Sequence, residues 1–144
     1  MLQIPESNII LNLKGIDKAS ITKELLETMH NIGDIEGILK AILARNKIMS
    51  QAPGRGVAIL RYLGTHAKTT SLAVGIKREG INFDALDGHP VYIFFLLVSN
   101  DRSRYVDILA GLLRLIQQPT VRLNLLRARS KSQIKKILET QPIQ

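Results

Sequence analysis

Two stretches decide how this chain is read: Gly54-Arg55-Gly56-Val57-Ala58-Ile59-Leu60-Arg61 and, after a short gap, Ser71-Leu72-Ala73-Val74-Gly75. The first opens in a punctuated run, Ser50-Gln51-Ala52-Pro53-Gly54-Arg55-Gly56, whose glycines and proline mark a loop. Val57 to Leu60 is then a short apolar segment, predicted as a buried strand. A second loop carries Gly64 and His66, and Leu72 to Ile76 is the next predicted strand, with Gly80 breaking the run. Phe83-Asp84-Ala85-Leu86-Asp87-Gly88-His89-Pro90 reads as a turn into the apolar run Val91 to Val98. The β-branched and aromatic content of that run suits a strand covered on both faces.

Helical patterns lie on either side. Before the loop, Asn8 to Leu13 is a short strand candidate. Asp17 to Ile32 then places Ile21, Leu25, Met29 and Ile32 on one helical face, with Gly33 as a stop. Asp34 is a candidate cap for a helix whose stripe is Ile35, Ile38, Leu39, Ile42 and Leu43. After the apolar strand, Asn100 or Asp101 caps a helix to about Gln117, with Val106, Leu109, Leu112, Leu113 and Ile116 inward. Pro119 suits a first helical position, and Ser130-Lys131-Ser132-Gln133 is a capping-box pattern with Ile134, Ile137 and Leu138 behind it. The order of helices, strands and helices predicts an α/β fold, a central mixed β-sheet flanked by helices.

The 144 residues suit one domain spanning residues 1–144. An apolar fraction of 45% with 22% charged residues is that of a globular chain. There is no cysteine, which excludes disulfides, thiolate metal sites and cysteine nucleophiles. The N-terminus lacks a signal-peptide pattern. Val91 to Val98 is far short of the ~20 apolar residues that span a bilayer, so no membrane span and a cytoplasmic location are expected. A net charge of +8 and a pI near 10.1 favour anionic partners. Arg122, Arg127, Arg129, Lys131, Lys135 and Lys136 offer a basic face near the C-terminus. Aromatics are only 4% of the chain, however, and no reading helix is evident, which argues against nucleic acid.

The middle of the chain resembles enzyme IIA domains of the bacterial phosphotransferase system, in the mannitol, fructose and nitrogen-regulatory class. That family runs roughly R-E-x-x-x-S-T-G-x-G-x-G-I-A-I-P-H, then a loop, then S-L-A-x-G. Arg45-Asn46, Ser50-Gln51 and Gly54-Arg55-Gly56-Val57-Ala58-Ile59 fit this without a gap, and the register continues to Ser71-Leu72-Ala73-Val74-Gly75. The next signature, I-x-F-D-A-x-D-x-x-P-V, is matched by Ile81 to Val91, and the leucine-rich helix by Ile108-Leu109-Ala110-Gly111-Leu112-Leu113. The N-terminal segment and its two helices also fit, so the resemblance covers nearly the whole chain. It implies an enzyme IIA fold and a protein partner: a histidine-containing phosphocarrier, a transporter or a sensor. The lack of an attached membrane segment favours the free-standing nitrogen-regulatory type. No cofactor or metal is implied.

The sequence departs from the family at the reacting residues. In this register the family's P-H falls on Leu60-Arg61, and a second family histidine falls on Tyr105. A phosphocarrier needs a nitrogen lone pair that takes and releases a phosphoryl group, which neutral imidazole supplies. A guanidinium stays protonated and offers only donors, so Arg61 cannot take the group. A phenol is a poor nucleophile near pH 7, and a phosphoryl ester on Tyr105 would be a poor reversible donor. Arg45, Ser50, Arg61 and the Gly54-Arg55-Gly56 backbone remain candidates for binding an anion or docking a partner, since guanidinium forks suit carboxylate and phosphate.

Of the three histidines, His66 in Thr65-His66-Ala67-Lys68 is an alternative phosphoacceptor, although using it breaks the gapless register. His89 reads as a solvated turn residue and His30 as a surface one, and the spacing suits no metal. Asp84 and Asp87 read as turn and cap carboxylates. The expected protein is therefore a regulatory enzyme IIA-like chain that docks without phosphotransfer. The rivals are an active carrier using His66 and a basic nucleic-acid-binding module.

Overall fold

The computed structural model describes residues 3–48, 55–85 and 87–140. Among these, four strands form one mixed sheet: β1 (Ile9–Ile10), β2 (Val57–Leu63), β3 (Ser71–Ile81) and β4 (Val91–Ser99), in the order β1-β3-β4-β2. β1 pairs with β3 and β2 with β4 in parallel, while β3 and β4 are antiparallel. Five α-helices cover the sheet: α1 (Lys18–Leu26), α2 (Ile35–Ile48), α3 (Arg102–Ile116), α4 (Pro119–Arg127) and α5 (Lys131–Thr140). The α/β class and the helix-flanked mixed sheet match the sequence reading.

Strand alternation divides the core into two layers. Val57, Ile59, Val74, Ile76, Ile93, Phe95 and Leu97 point to one face and pack against Leu112 and Leu115 of α3, Leu125 of α4, and Ile134 and Leu138 of α5. Ala58, Leu60, Tyr62, Ala73, Phe94, Leu96 and Val98 point the other way, onto Ile21 and Leu25 of α1 and Ile38 and Ile42 of α2. β4 is apolar throughout because both its faces are covered.

Local sequence explains most boundaries. Asp17 caps α1 reciprocally: its Oδ1 accepts from the Ser20 amide at 2.8 Å, and Ser20 Oγ accepts from the Asp17 amide at 3.1 Å. The Ser20 hydroxyl, which donates to Oδ1 at 2.6 Å, and then the Ser20 amide hold the Asp17 carboxyl below its ordinary pKa. Asp34 Oδ1 accepts from the Gly37 amide at 3.1 Å and starts α2. Asp101 does the same for α3 through the Ser103 and Arg104 amides, and Pro119 opens α4.

Several expectations need correction. The first helix ends at Leu26, not Ile32. Thr28 bonds back to the Leu25 carbonyl through both its amide and its hydroxyl, and Asn31 takes a positive φ of 56°, which turns the chain while Met29 and Ile32 stay buried. The first strand is only Ile9–Ile10, after a 3-10 turn at Glu6–Asn8. β2 runs on to Leu63 rather than stopping at Leu60. Leu60 has the amide a proline would lack, so the ladder to β4 continues. β3 likewise passes through Gly80, which has φ +72°. A Cβ there would lie 2.6 Å from the Tyr92 ring, so glycine lets the strand continue past that ring. On α3, Val106 and Leu113 are exposed, and Leu115 fills the core instead.

Candidate functional site

Arg61 is the fifth residue of β2 and lies in register with Leu97 of β4. Alternation after Leu60 sends its side chain to the face of Val57 and Ile59, the face covered by α3, α4 and α5. It is half-buried and has an interaction partner of its own. Tyr105 stands in the first turns of α3, half-buried against the same layer. The two positions assigned to the family's histidines thus share one face of the sheet, one arriving on a strand and the other on a helix. Arg45 is half-buried on α2, the helix that packs on the opposite face. Ser50, with Gln51 to Gly54, lies outside the described residues.

The anion cradle expected from Gly54-Arg55-Gly56 meets a competitor within the chain. The Arg55 amide donates to Asp87 Oδ2 at 2.7 Å, and Asp87 Oδ1 accepts from the His89 amide at 3.0 Å. The Arg55 amide, then that of His89, holds the Asp87 carboxyl below its ordinary pKa. This carboxylate therefore takes a donor that an external anion would need. Asp84 pairs with Lys18 at 2.6 Å. Asp87 bonds within its turn as read from the sequence, whereas the Asp84 carboxylate reaches Lys18 of α1 instead of bonding in the turn.

His66 is fastened at the start of α2. Its Nδ1 lies 3.1 Å from Asp34 Oδ2. Its amide donates to the Tyr62 hydroxyl at 3.1 Å, and its carbonyl accepts from the Asp34 amide at 2.9 Å. Lys68 donates to the Ile32 carbonyl, and Gly33 bridges Ala67, so two short segments lie side by side. A Cβ at Gly37 would sit 2.5 Å from Asp34 Oδ2 and 2.8 Å from His66 Nδ1, so glycine in the first turn of α2 makes room for the pair. These partners belong to the α1–α2 side, with Tyr62 and Ala67 in that layer, whereas Arg61 faces away from it. The structure does not bring His66 onto the Arg61 face. Sequence reading identified Asp34 as a cap but missed it as the histidine's partner, because no local pattern links the two.

His30 and His89 are exposed, and among the described residues no group of histidine and acidic side chains could hold a metal. Among the C-terminal basic residues, Arg122 and Lys135 are engaged within the chain. The Arg122 guanidinium donates to the Ile116 carbonyl, and Lys135 is held by Glu139 at 2.8 Å and the Ile4 carbonyl at 2.7 Å. Arg127 and Arg129 instead line a pocket with Arg78, a grouping that their spacing in sequence did not suggest. No described helix is long and apolar enough to cross a membrane.

Comparison with known proteins agrees with this architecture. Residues 3–141 match the family described as phosphoenolpyruvate-dependent sugar phosphotransferase system, EIIA 2. The chain is 29% identical over 143 residues to the fructose-specific EIIA component of Haloferax volcanii, covering 89% of this chain and 90% of that protein. It is 27% identical over 141 residues to the fructose-specific EIIABC component of Bacillus subtilis; the match takes in 91% of this chain and 21% of the Bacillus protein's length. Among solved structures, nitrogen regulatory protein IIA-Ntr of Neisseria meningitidis superposes with a TM-score of 0.85 at 27% identity, covering 94% of this chain and 95% of that one. The IIA mannitol structure of Escherichia coli shares the fold with a TM-score of 0.80 at 15% identity, over 95% of this chain and 99% of that one. With its helix-flanked mixed sheet and a family match over nearly its whole length, the chain belongs to the EIIA 2 family of the phosphoenolpyruvate-dependent sugar phosphotransferase system.

Proposed function

We propose that this chain is a regulatory EIIA domain of the nitrogen-regulatory type, acting in the cytoplasm, that docks on a protein partner without carrying a phosphoryl group. The observation that carries the reading is Arg61, which stands where the family register puts the accepting histidine. A guanidinium has no lone pair to offer. Tyr105, at the second histidine position, lies on the same sheet face, so the two replacements act as a matched loss around one surface. The partner is a phosphotransferase-system protein: a histidine phosphocarrier, a transporter component or a sensor. In support, enzyme IIA mannitol of Escherichia coli, which shares this fold, has been solved in complex with phosphorylated enzyme IIB mannitol. Arg61 and Arg45 suit a partner face that carries phosphate or carboxylate groups.

A second reading, an active carrier using His66, draws support from the Asp34 contact. A carboxylate on Nδ1 orients an imidazole and leaves Nε2 for chemistry. Incubation with phosphoenolpyruvate and the general phosphotransferase proteins, followed by intact-mass measurement, separates the two. The docking reading expects no adduct. An acid-labile phosphate adduct that vanishes in His66→Ala overturns it in favour of the second.

A further inference from the structure

A pocket of about 330 Å³ opens between the segment after β1, the outer part of β3 and the α4–α5 connection. Its lining is Leu11, Asn12, Arg78, Arg127, Ala128 and Arg129. Three of these six residues are arginines and none is acidic. The register places the pocket far from Arg61. Leu72 pairs with Leu97, which pairs with Arg61, and Arg78 lies about 20 Å further along β3 at strand rise.

Arg78 is built into this site. Its Nη1 donates to the Leu11 carbonyl at 2.8 Å and to Asn12 Oδ1 at 2.9 Å, and its Nη2 donates to the Ala128 carbonyl. All three acceptors are neutral, so they fix the guanidinium plane without cancelling its charge. Two of its five N–H donors remain. Arg127 and Arg129 flank Ala128, and among the described residues neither guanidinium has a hydrogen bond or carboxylate partner. Arg127 complements the C-terminal dipole of α4, which accounts for one of the three cations but not for their convergence.

We propose that this pocket binds a small polyanion carrying phosphate or carboxylate groups, held by Arg78, Arg127 and Arg129. An uncompensated cluster of cations in a concavity concentrates anions. Planar guanidinium forks match both groups. The Asn12 amide adds a neutral polar contact beside them. The volume fits a small molecule, at the lower end of the ~300–1,000 Å³ of such sites. No aromatic side chain lines it for base stacking, which disfavours a nucleic-acid strand. The inference is independent of the docking proposal, which concerns the other end of the sheet.

Calorimetric titration of the full chain with pyrophosphate and with citrate, at constant ionic strength, tests it. The expected result is saturable binding of at least one anion, weakened about tenfold or more in Arg127→Gln/Arg129→Gln. Arg129 makes no side-chain hydrogen bond or ion pair among the described residues and Arg127 only the α4 dipole interaction, so the variant should stay folded with a melting temperature within a few degrees of the native chain's. Lys23→Gln/Lys40→Gln removes two exposed charges elsewhere and leaves the affinity unaltered. Binding of pyrophosphate alone assigns the site to phosphates, and of citrate alone to carboxylates. No saturable binding of either anion at millimolar concentration, or an equal loss in the Lys23/Lys40 control, overturns the proposal.

Discussion

The imidazole of His66 and the carboxylate of Asp34 lie 3.1 Å apart, joining the loop after β2 to the residue that caps α2. The carboxylate has two roles: Oδ2 faces the histidine, and Oδ1 caps the Gly37 amide. The pair anchors the loop on the α1–α2 side of the sheet.

The two partners therefore differ in what their removal costs. Asp34→Ala loses a helix cap as well as the histidine contact, and is expected to lower stability by about 1 kcal/mol. His66→Ala removes a half-exposed ring and changes stability by less than about 0.5 kcal/mol. Urea denaturation of both variants measures the difference; equal losses would show that the cap contributes little.

Restoring imidazole at both assigned positions tests the register. Arg61→His combined with Tyr105→His is expected to accept a phosphoryl group from a phosphorylated histidine carrier, while the native chain stays unmodified under the same conditions. Intact mass before and after acid treatment reads the result. A double variant that folds, as judged by circular dichroism, yet takes no phosphate removes the assignment of these positions.

Asp87 links stability to pH. Its carboxyl pKa is lowered in the folded chain, chiefly by the Arg55 amide and next by the His89 amide. Its contribution is therefore fully present above the unfolded value of about 3.9, and it is lost as pH falls through the folded value. Asp87→Asn should melt at a lower temperature than the native chain at neutral pH, with the gap closing under strongly acidic conditions. Melting curves across that range check the sign, and a gap that widens on acidification would refute it.

Glu139 ties the end of α5 to the start of the chain. It accepts from Lys135 Nζ and from the Ile4 amide, each at 2.8 Å, and these bonds lower its pKa, that of Lys135 most. Glu139→Gln is expected to speed hydrogen exchange at the Ile4 amide while leaving the amides of β4 protected. In the native chain the Ile4 amide should lose protection as pH falls through the lowered Glu139 value, after correction for intrinsic exchange. Unchanged exchange at Ile4 in the variant would mean that buried Ile4 is held by its side chain and the Lys135 bond to its carbonyl, not by Glu139.

Much of the fold was legible because its signals are local. The Val91–Val98 run, the caps Asp34 and Asp101, and Pro119 opening α4 all act within a few residues, and each stands where local chemistry puts it. The errors came where distant contacts override local pattern. Gly80 looks like a strand breaker, but β3 passes through it alongside Tyr92. Val106 fits the apolar stripe of α3, but the helix is rotated so that Leu115 fills the layer and Val106 meets solvent.

By itself the sequence determined the α/β class and the kinship, because these depend on residue identity and order. Only the tertiary structure decided that Arg61 and Tyr105 share a sheet face while His66 is held on the other. It also decided that Arg78, Arg127 and Arg129 converge on one pocket. Strand alternation sends neighbouring side chains to opposite layers, and crossovers in the chain bring together residues that are far apart in sequence.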